Sequence, residues 1–187
     1  MNKKKWSYLL IGIMLCVLFS FAIILLRYNK TPEDIILSLD MFQDEGEFLF
    51  MSIPWDSENR DVNRILSGSL KTDTKRQPSP SLLHYYSAQD RYFLDEKQAT
   101  VCFQFSGDVL KIIKFTFVLD EAYESWFHTQ ADNMVQTYGP ATEVTEQSSA
   151  DMASIIYKWD TEKTRLHFTL LTGDSMTPTA MIALGGD

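Results

Sequence analysis

The chain has 187 residues, 45% of them hydrophobic and 13% aromatic, so it carries ample material for a packed core and does not read as disordered. All 25 acidic residues but only 12 of the 17 basic ones follow Lys30, which gives that part a formal charge of −13. Such acidity argues against nucleic acid or a second, anionic membrane surface as partner, keeps a domain in solution, and leaves cationic peptides, basic proteins or divalent ions open.

In chain order, the first expected element is the uncharged run Trp6 to Leu26. At an α-helical rise it would span roughly 30 Å, the thickness of a bilayer's hydrocarbon core. No small-x-small step ends it before Arg27, and Cys16 follows Leu15 with apolar sequence continuing beyond it. A cleaved signal peptide and a lipidated cysteine therefore fit less well than an uncleaved signal-anchor. Lys3, Lys4 and Lys5 before the run outweigh Arg27 and Lys30 after it. The bias predicts a single-pass protein of the cell membrane, its N-terminus cytoplasmic and its C-terminal domain extracytoplasmic. Residues 1–30 are thus read as a cytoplasmic tip and transmembrane anchor, with residues 6–26 as the membrane contact.

Thr31-Pro32-Glu33-Asp34 has the order of a helix start, so residues 31–46 are expected to form a short stalk helix. Glu47 to Trp55 reads as a strand stopped at Pro54, and Asp56-Ser57 as the cap of a helix running to about Leu66. The polar, proline-containing stretch from Lys71 to Ser81 predicts a loop. Leu82 to Tyr86 and Arg91 to Leu94 are short strands. Ala99 to Phe105 and Val109 to Leu119 alternate apolar and polar residues around Ser106-Gly107-Asp108, which predicts a hairpin. After Asp120 the stripe Tyr123, Trp126, Phe127, Ala131, Met134, Val135 and Tyr138 has the spacing of a helix lying on a sheet, ended by Gly139-Pro140. Four more strands are expected near 141–146, 154–160, 164–172 and 179–184.

Helix then strands, twice, with connections too short for parallel crossovers, predicts an α+β fold: an N-terminal transmembrane helix followed by an extracytoplasmic domain of helices packed on an antiparallel sheet. That domain covers 47–187 as one body, or as two helix-plus-strands units of about 47–119 and 120–187.

Two strings carry a resemblance. Ser52-Ile53-Pro54-Trp55-Asp56-Ser57 resembles the "GIPWGS" opening of small exported α+β domains in Gram-positive bacteria, with Ser52 and Asp56 standing where that pattern has glycine. Tyr138-Gly139-Pro140-Ala141-Thr142 resembles the "YGxPT" helix-to-strand step of the same domains. Their helix-then-strand units are similar to those of assembly lipoproteins of the SmpA/OmlA type and of β-lactamase-inhibitor-protein-like repeats. The resemblance implies a fold that binds other proteins and has no catalytic residues.

The search for chemistry agrees with that implication. There is no phosphate-cradling glycine loop, no G-x-S-x-G elbow and no H-E-x-x-H. Cys102 sits mid-strand between Val101 and Phe103, as a buried and inert thiol would. His84, His128 and His167 fall in three unrelated elements. Glu124, His128 and Asp132 share one helical face, a speculative set of metal ligands, although a solvated polar ladder explains the same spacing. Tyr85 and Tyr86 must point to opposite faces of a strand, so one ring can be exposed; with Trp55 they are the candidate binding-surface residues. The expected function is a membrane-anchored extracytoplasmic interaction domain, not an enzyme, with no cofactor, that presents an acidic surface to an envelope protein or peptide. The alternatives are a structural tether or assembly subunit acting through its membrane helix, and a metal-dependent extracytoplasmic hydrolase.

Overall fold

The computed structural model describes Met14, residues 31–72 and residues 83–186. The chain divides between Pro32 and Glu33, and everything below concerns the second unit. Its ten strands are β1 (Asp34–Ile36), β2 (Leu70–Thr72), β3 (Leu83–Ala88), β4 (Arg91–Leu94), β5 (Lys97–Ser106), β6 (Val109–Val118), β7 (Glu143–Ser148), β8 (Ala153–Asp160), β9 (Thr164–Gly173) and β10 (Met176–Gly186). Two α-helices, α1 (Asn59–Ile65) and α2 (Tyr123–Tyr138), and a 3-10 turn at Leu39–Phe42 complete the described elements.

All ten strands join one sheet in the order β1-β4-β5-β6-β10-β9-β8-β7, with β3 pairing both β5 and β2. Strand β1 runs parallel to β4, and the other described pairings are antiparallel. After α2 the chain winds as a meander, β7-β8-β9-β10, whereas in the first half β3 and β4 both pair β5; the last strands of the two halves, β6 and β10, meet at the middle of the sheet. The fold is therefore a sheet-dominated mixed fold, which corrects the expected helices packed on an antiparallel sheet. The physical reason lies in the alternating β-branched and aromatic runs of residues 97–118 and 153–186, which leave little chain for helices.

Among the described residues no helix is long and apolar enough to cross a membrane. The longest, α2, has 16 residues, about 24 Å at the helical rise, and carries Glu124, His128 and Asp132. This overturns the expected transmembrane helix and, with it, the single-pass placement in the cell membrane with a cytoplasmic N-terminus and an extracytoplasmic domain. Apart from Met14, the run 6–26 on which that expectation rested lies outside the described residues, as does the expected loop beyond Thr72.

The stalk helix expected over 31–46 is also replaced. Asp90, buried under the chain, accepts the Glu33 N–H at 3.1 Å, and Arg91 N–H and Leu37 N–H are bonded across the β1–β4 edge. Strand pairing thus takes the backbone groups that a helix would have used. The expected strand 47–55 is irregular instead. Met51 and Ser52 both take positive φ, 51° and 56°, and Ser52 stands where the resembled pattern has a glycine that would adopt this conformation without strain. The segment bonds to the 3-10 turn through Leu49 N–H to Phe42 O and Met51 N–H to Met41 O. It drives Phe48, Phe50 and Ile53 into the core.

One face of the sheet holds that core. Val101, Phe103, Ile113, Phe115, Phe117, Phe168, Ile182 and Leu184 point into it, with Phe115 edge-on to Phe42 and Phe50. Helix α2 closes the other half of this face. Its Phe127 stacks on Phe168 at 4.4 Å, and Trp126 leans on Phe117. Gly139 ends α2 at φ 86°, and its carbonyl accepts the Trp159 indole N–H at 2.9 Å, tying the helix end to β8.

Candidate binding surface on the open sheet face

Side chains alternate across a strand, so the residues between those core positions define the opposite face. The two helices and the 3-10 turn send their buried residues, Val62, Phe42, Trp126, Phe127 and Met134, to the core side. None of these three elements lies on the opposite face, and its register can be read strand by strand.

One cross-strand row runs Lys71, Ser87, Cys102, Lys114, Ala183, His167, Lys158, Glu143, from β2 through β3, β5, β6, β10, β9 and β8 to β7. Eight strands at about 4.8 Å make this row roughly 34 Å long. Beside it runs Tyr85, Gln104, Ile112, Gly185, Arg165, Asp160. On the other side lies Thr100, Thr116, Met181, Thr169, Ile156, Thr145. Beyond that row the face becomes apolar. Val118, 66% exposed, pairs Thr179, which pairs Leu171. At the β1–β4 edge Ile36, 71% exposed, pairs the half-buried Phe93. The face therefore grades from exposed apolar groups, through a row of threonines with Met181 and Ile156, to basic side chains.

The basic side is built by specific contacts. A β-carbon on Gly185 would lie 3.5 Å from Arg165 Cγ and 3.3 Å from its Nε, so the absent side chain lets the arginine lie flat across β10. Lys111 occupies the bulge between Gln104 and Phe105's partners on β6. With Ile112, Arg165, His167 and Ala183 it lines a cleft of about 420 Å³ at the end of β10. Burial pushes the half-buried His167 below its ordinary value, against the nearby Asp160, and Lys158 and Arg165 push the same way as burial. At the β7 rim, Lys158 Nζ donates to Glu143 at 2.8 Å, which with Thr145 holds Glu143 below the usual carboxylate range.

The candidate residues from the sequence are distributed unevenly over this frame. Tyr85 is on the open face opposite Gln104, whereas Tyr86 is on the core side with its ring edge-on to Phe105 at 5.4 Å. Trp55 lies at the core side: its indole N–H donates to Phe48 O at 3.0 Å, and its ring covers Gly186. Glu124, His128 and Asp132 are all exposed on the outward side of α2. Among the described residues no group of three His, Cys, Asp or Glu is placed to hold a metal ion. His84 on β3 and His167 on β9 are separated by β5, β6 and β10, and His128 is on α2. Cys102 is buried in the basic row, next to Lys114 on β6.

Sequence reasoning missed the basic row entirely. Lys71, Lys114, Lys158 and His167 are far apart in the chain, and only the strand order brings them into line. The alternation of Lys114 with Phe115 was the only local signal, and it says which face, not which neighbours.

No protein-family model and no curated protein matches this chain. Among solved structures, the crystal structure of a DUF4309 family protein (YjgB) from Bacillus subtilis is similar to it at 18% identity and a TM-score of 0.42, over 76% of this chain and 89% of that one.

Proposed function

We propose that this chain is a non-catalytic binding module that recognises a polypeptide segment of a protein partner on the open face of its sheet. The observation that carries the reading is the graded face itself: exposed Val118 and Ile36, then threonines around Met181, then a line of basic side chains, with neither described helix laid over them. Apolar and hydroxyl groups side by side suit a peptide, which offers apolar side chains and backbone polar groups at the same spacing. The resemblance at Ser52–Ser57 and Tyr138–Thr142 to domains that bind proteins points the same way.

The test uses the full-length chain and peptides selected on it from a displayed random library. Met181→Arg, at the centre of the face, is expected to weaken the selected peptides by about tenfold or more. Asp132→Lys, on the outward side of α2, is expected to leave them unchanged. Thr169→Arg, next to Met181, repeats the test should the first variant fold poorly, with circular dichroism confirming the fold. Peptides indifferent to both face variants, or the absence of any selected peptide, would sink the reading.

A further inference from the structure

We infer that β7, the free edge of the sheet, takes one further strand: an extended segment of a partner protein that alternates basic and apolar side chains and pairs antiparallel with Val144 to Ser148. The inference stands apart from the open-face reading, because the groups that carry it are backbone groups in the plane of the sheet.

The sheet ends differently at its two sides. At one side the outermost strands, β1 and β2, have three residues each, which is one way a fold avoids offering an edge. At the other side β7 keeps six residues in unbroken register with β8, without proline, glycine or a bulge, and all but the half-buried Thr145 are exposed. No strand among the described residues pairs its outer side.

The hairpin bonds fix which residues point outward. Ser149 N–H donates to Met152 O at 2.8 Å, so these two form a bonded pair. Bonded and non-bonded pairs alternate along an antiparallel ladder. Gln147–Ser154 and Thr145–Ile156 are then bonded pairs, and Val144, Glu146 and Ser148 turn their N–H and C=O away from β8. The next hairpin agrees: Thr161 N–H to Thr164 O gives the odd-numbered residues of β8 to β9 and leaves the even-numbered ones for β7. Outward groups repeating about every 7 Å along a line are matched by the backbone of another extended chain, not by a helix or a small solute.

Side chains set the chemistry of that chain. From Gly139 to Tyr157 the sequence holds Glu143, Glu146 and Asp151 and no lysine, arginine or histidine. Lys158 holds Glu143, whereas Glu146 stands at mid-edge beside Ile155. The incoming residue opposite Glu146 is therefore basic. Val144, 51% exposed, lies beside Tyr157, so the incoming residue opposite it, two positions along, is apolar and extends that contact. A second copy would set these acids against their own kind, in two chains whose residues after Lys30 each carry a formal charge of −13. That repulsion favours a different protein as the source of the strand.

Fluorescence polarisation on the full-length chain tests this with three labelled peptides of about nine residues. One repeats Lys-Thr-Val-Thr, one has Glu for each Lys, and one is the lysine peptide N-methylated at its Lys and Val residues. The lysine peptide is expected to bind at least about tenfold more tightly than the glutamate peptide, and N-methylation to abolish binding. Glu146→Pro removes an outward N–H and leaves the β8 ladder whole, so it is expected to weaken the lysine peptide about tenfold. Glu146→Lys is expected to reverse the preference between the two charged peptides, and it keeps the test open should the proline variant fold poorly. Binding that survives both Glu146→Pro and N-methylation would overturn strand addition. Binding lost in Met181→Arg but kept in Glu146→Pro would place the peptide on the open face, overturning this inference and leaving that reading intact. Failure of all three peptides to bind would overturn it as well. A dimer of the chain in sedimentation that Glu146→Pro dissolves would overturn the choice of a separate partner.

Discussion

Phe115 and Thr116 are neighbours in one strand and live in different solvents. Phe115 is wholly buried, with Phe42, Phe50 and Tyr92 around its ring. Thr116 stands one position further on, on the open face between Thr100 and Met181. The same contrast repeats at Phe168 and Thr169 on β9, and at Ile182 and Met181 on β10. One face is covered by both described helices, a 3-10 turn and an aromatic loop, and so carries the stability. The other carries threonines, methionine and long polar side chains that neither described helix covers.

The sharpest way to break the comparison is to truncate one residue on each side. Phe115→Ala removes a packed ring from the core and is expected to cost about 3–5 kcal/mol, while Thr116→Ala is expected to change stability by less than about 0.5 kcal/mol. Urea denaturation of the two variants measures both, and equal losses would erase the distinction between the faces.

Adjacent glycines near the end of β10 give a smaller effect of the same kind. A β-carbon on Gly186 would meet Trp55 Cγ at 2.4 Å, on the core side, and Trp55 is held by its bond to Phe48. Gly186→Ala is therefore expected to cost about 1–3 kcal/mol. On Gly185 the same carbon meets only the Arg165 side chain, at 3.3 Å and beyond, which can swing away. Thermal melts should separate the two alanine variants, Gly186→Ala having the lower midpoint.

The smallest expected effect is on pH dependence, and it again has one contribution from each side. Thr161 and Thr164 hydroxyls donate to Glu47 and hold its carboxyl below the usual range, while Thr164 Oγ1 also accepts the Phe48 N–H at 2.7 Å. A lowered carboxylate adds stability that is present above its unfolded value and lost as pH falls through its folded value, so this contribution disappears only in acid. His167 on the open face is lowered by burial, so its contribution is full above about 6.5 and declines as pH falls below that. Denaturation midpoints taken from pH 8 to 5 should decline less in His167→Gln than in the parent protein. An identical slope would assign the decline in that range to other groups.

Much of the strand and helix layout was legible from local pattern. The helix expected from about Glu121 to Tyr138 forms as Tyr123–Tyr138, and the hairpin around Gly107 forms with strands Lys97–Ser106 and Val109–Val118. Both have strong periodicity and a glycine where a positive φ is needed, at Gly139 and Gly107. Reading failed where local signals were borrowed by distant partners. Thr31-Pro32-Glu33 has the chemistry of a helix start, but Asp90 and Arg91 draw this segment onto the sheet edge. The turn at Asp95-Glu96, with φ of 46° and 64°, closes β4 onto β5 without the asparagine or glycine that would announce it.

Period-two alternation by itself determined which residues of residues 97–118 and 153–186 share a face, because successive side chains on a strand must point to opposite sides. It could not determine which strands are neighbours. That was decided by the tertiary structure, through the return of β10 to β6 at the centre of the sheet. A row that draws Lys71, Lys114, His167 and Lys158 into one line exists only after that closure, since side chains on separate strands become one surface only when the sheet sets them about 5 Å apart per strand.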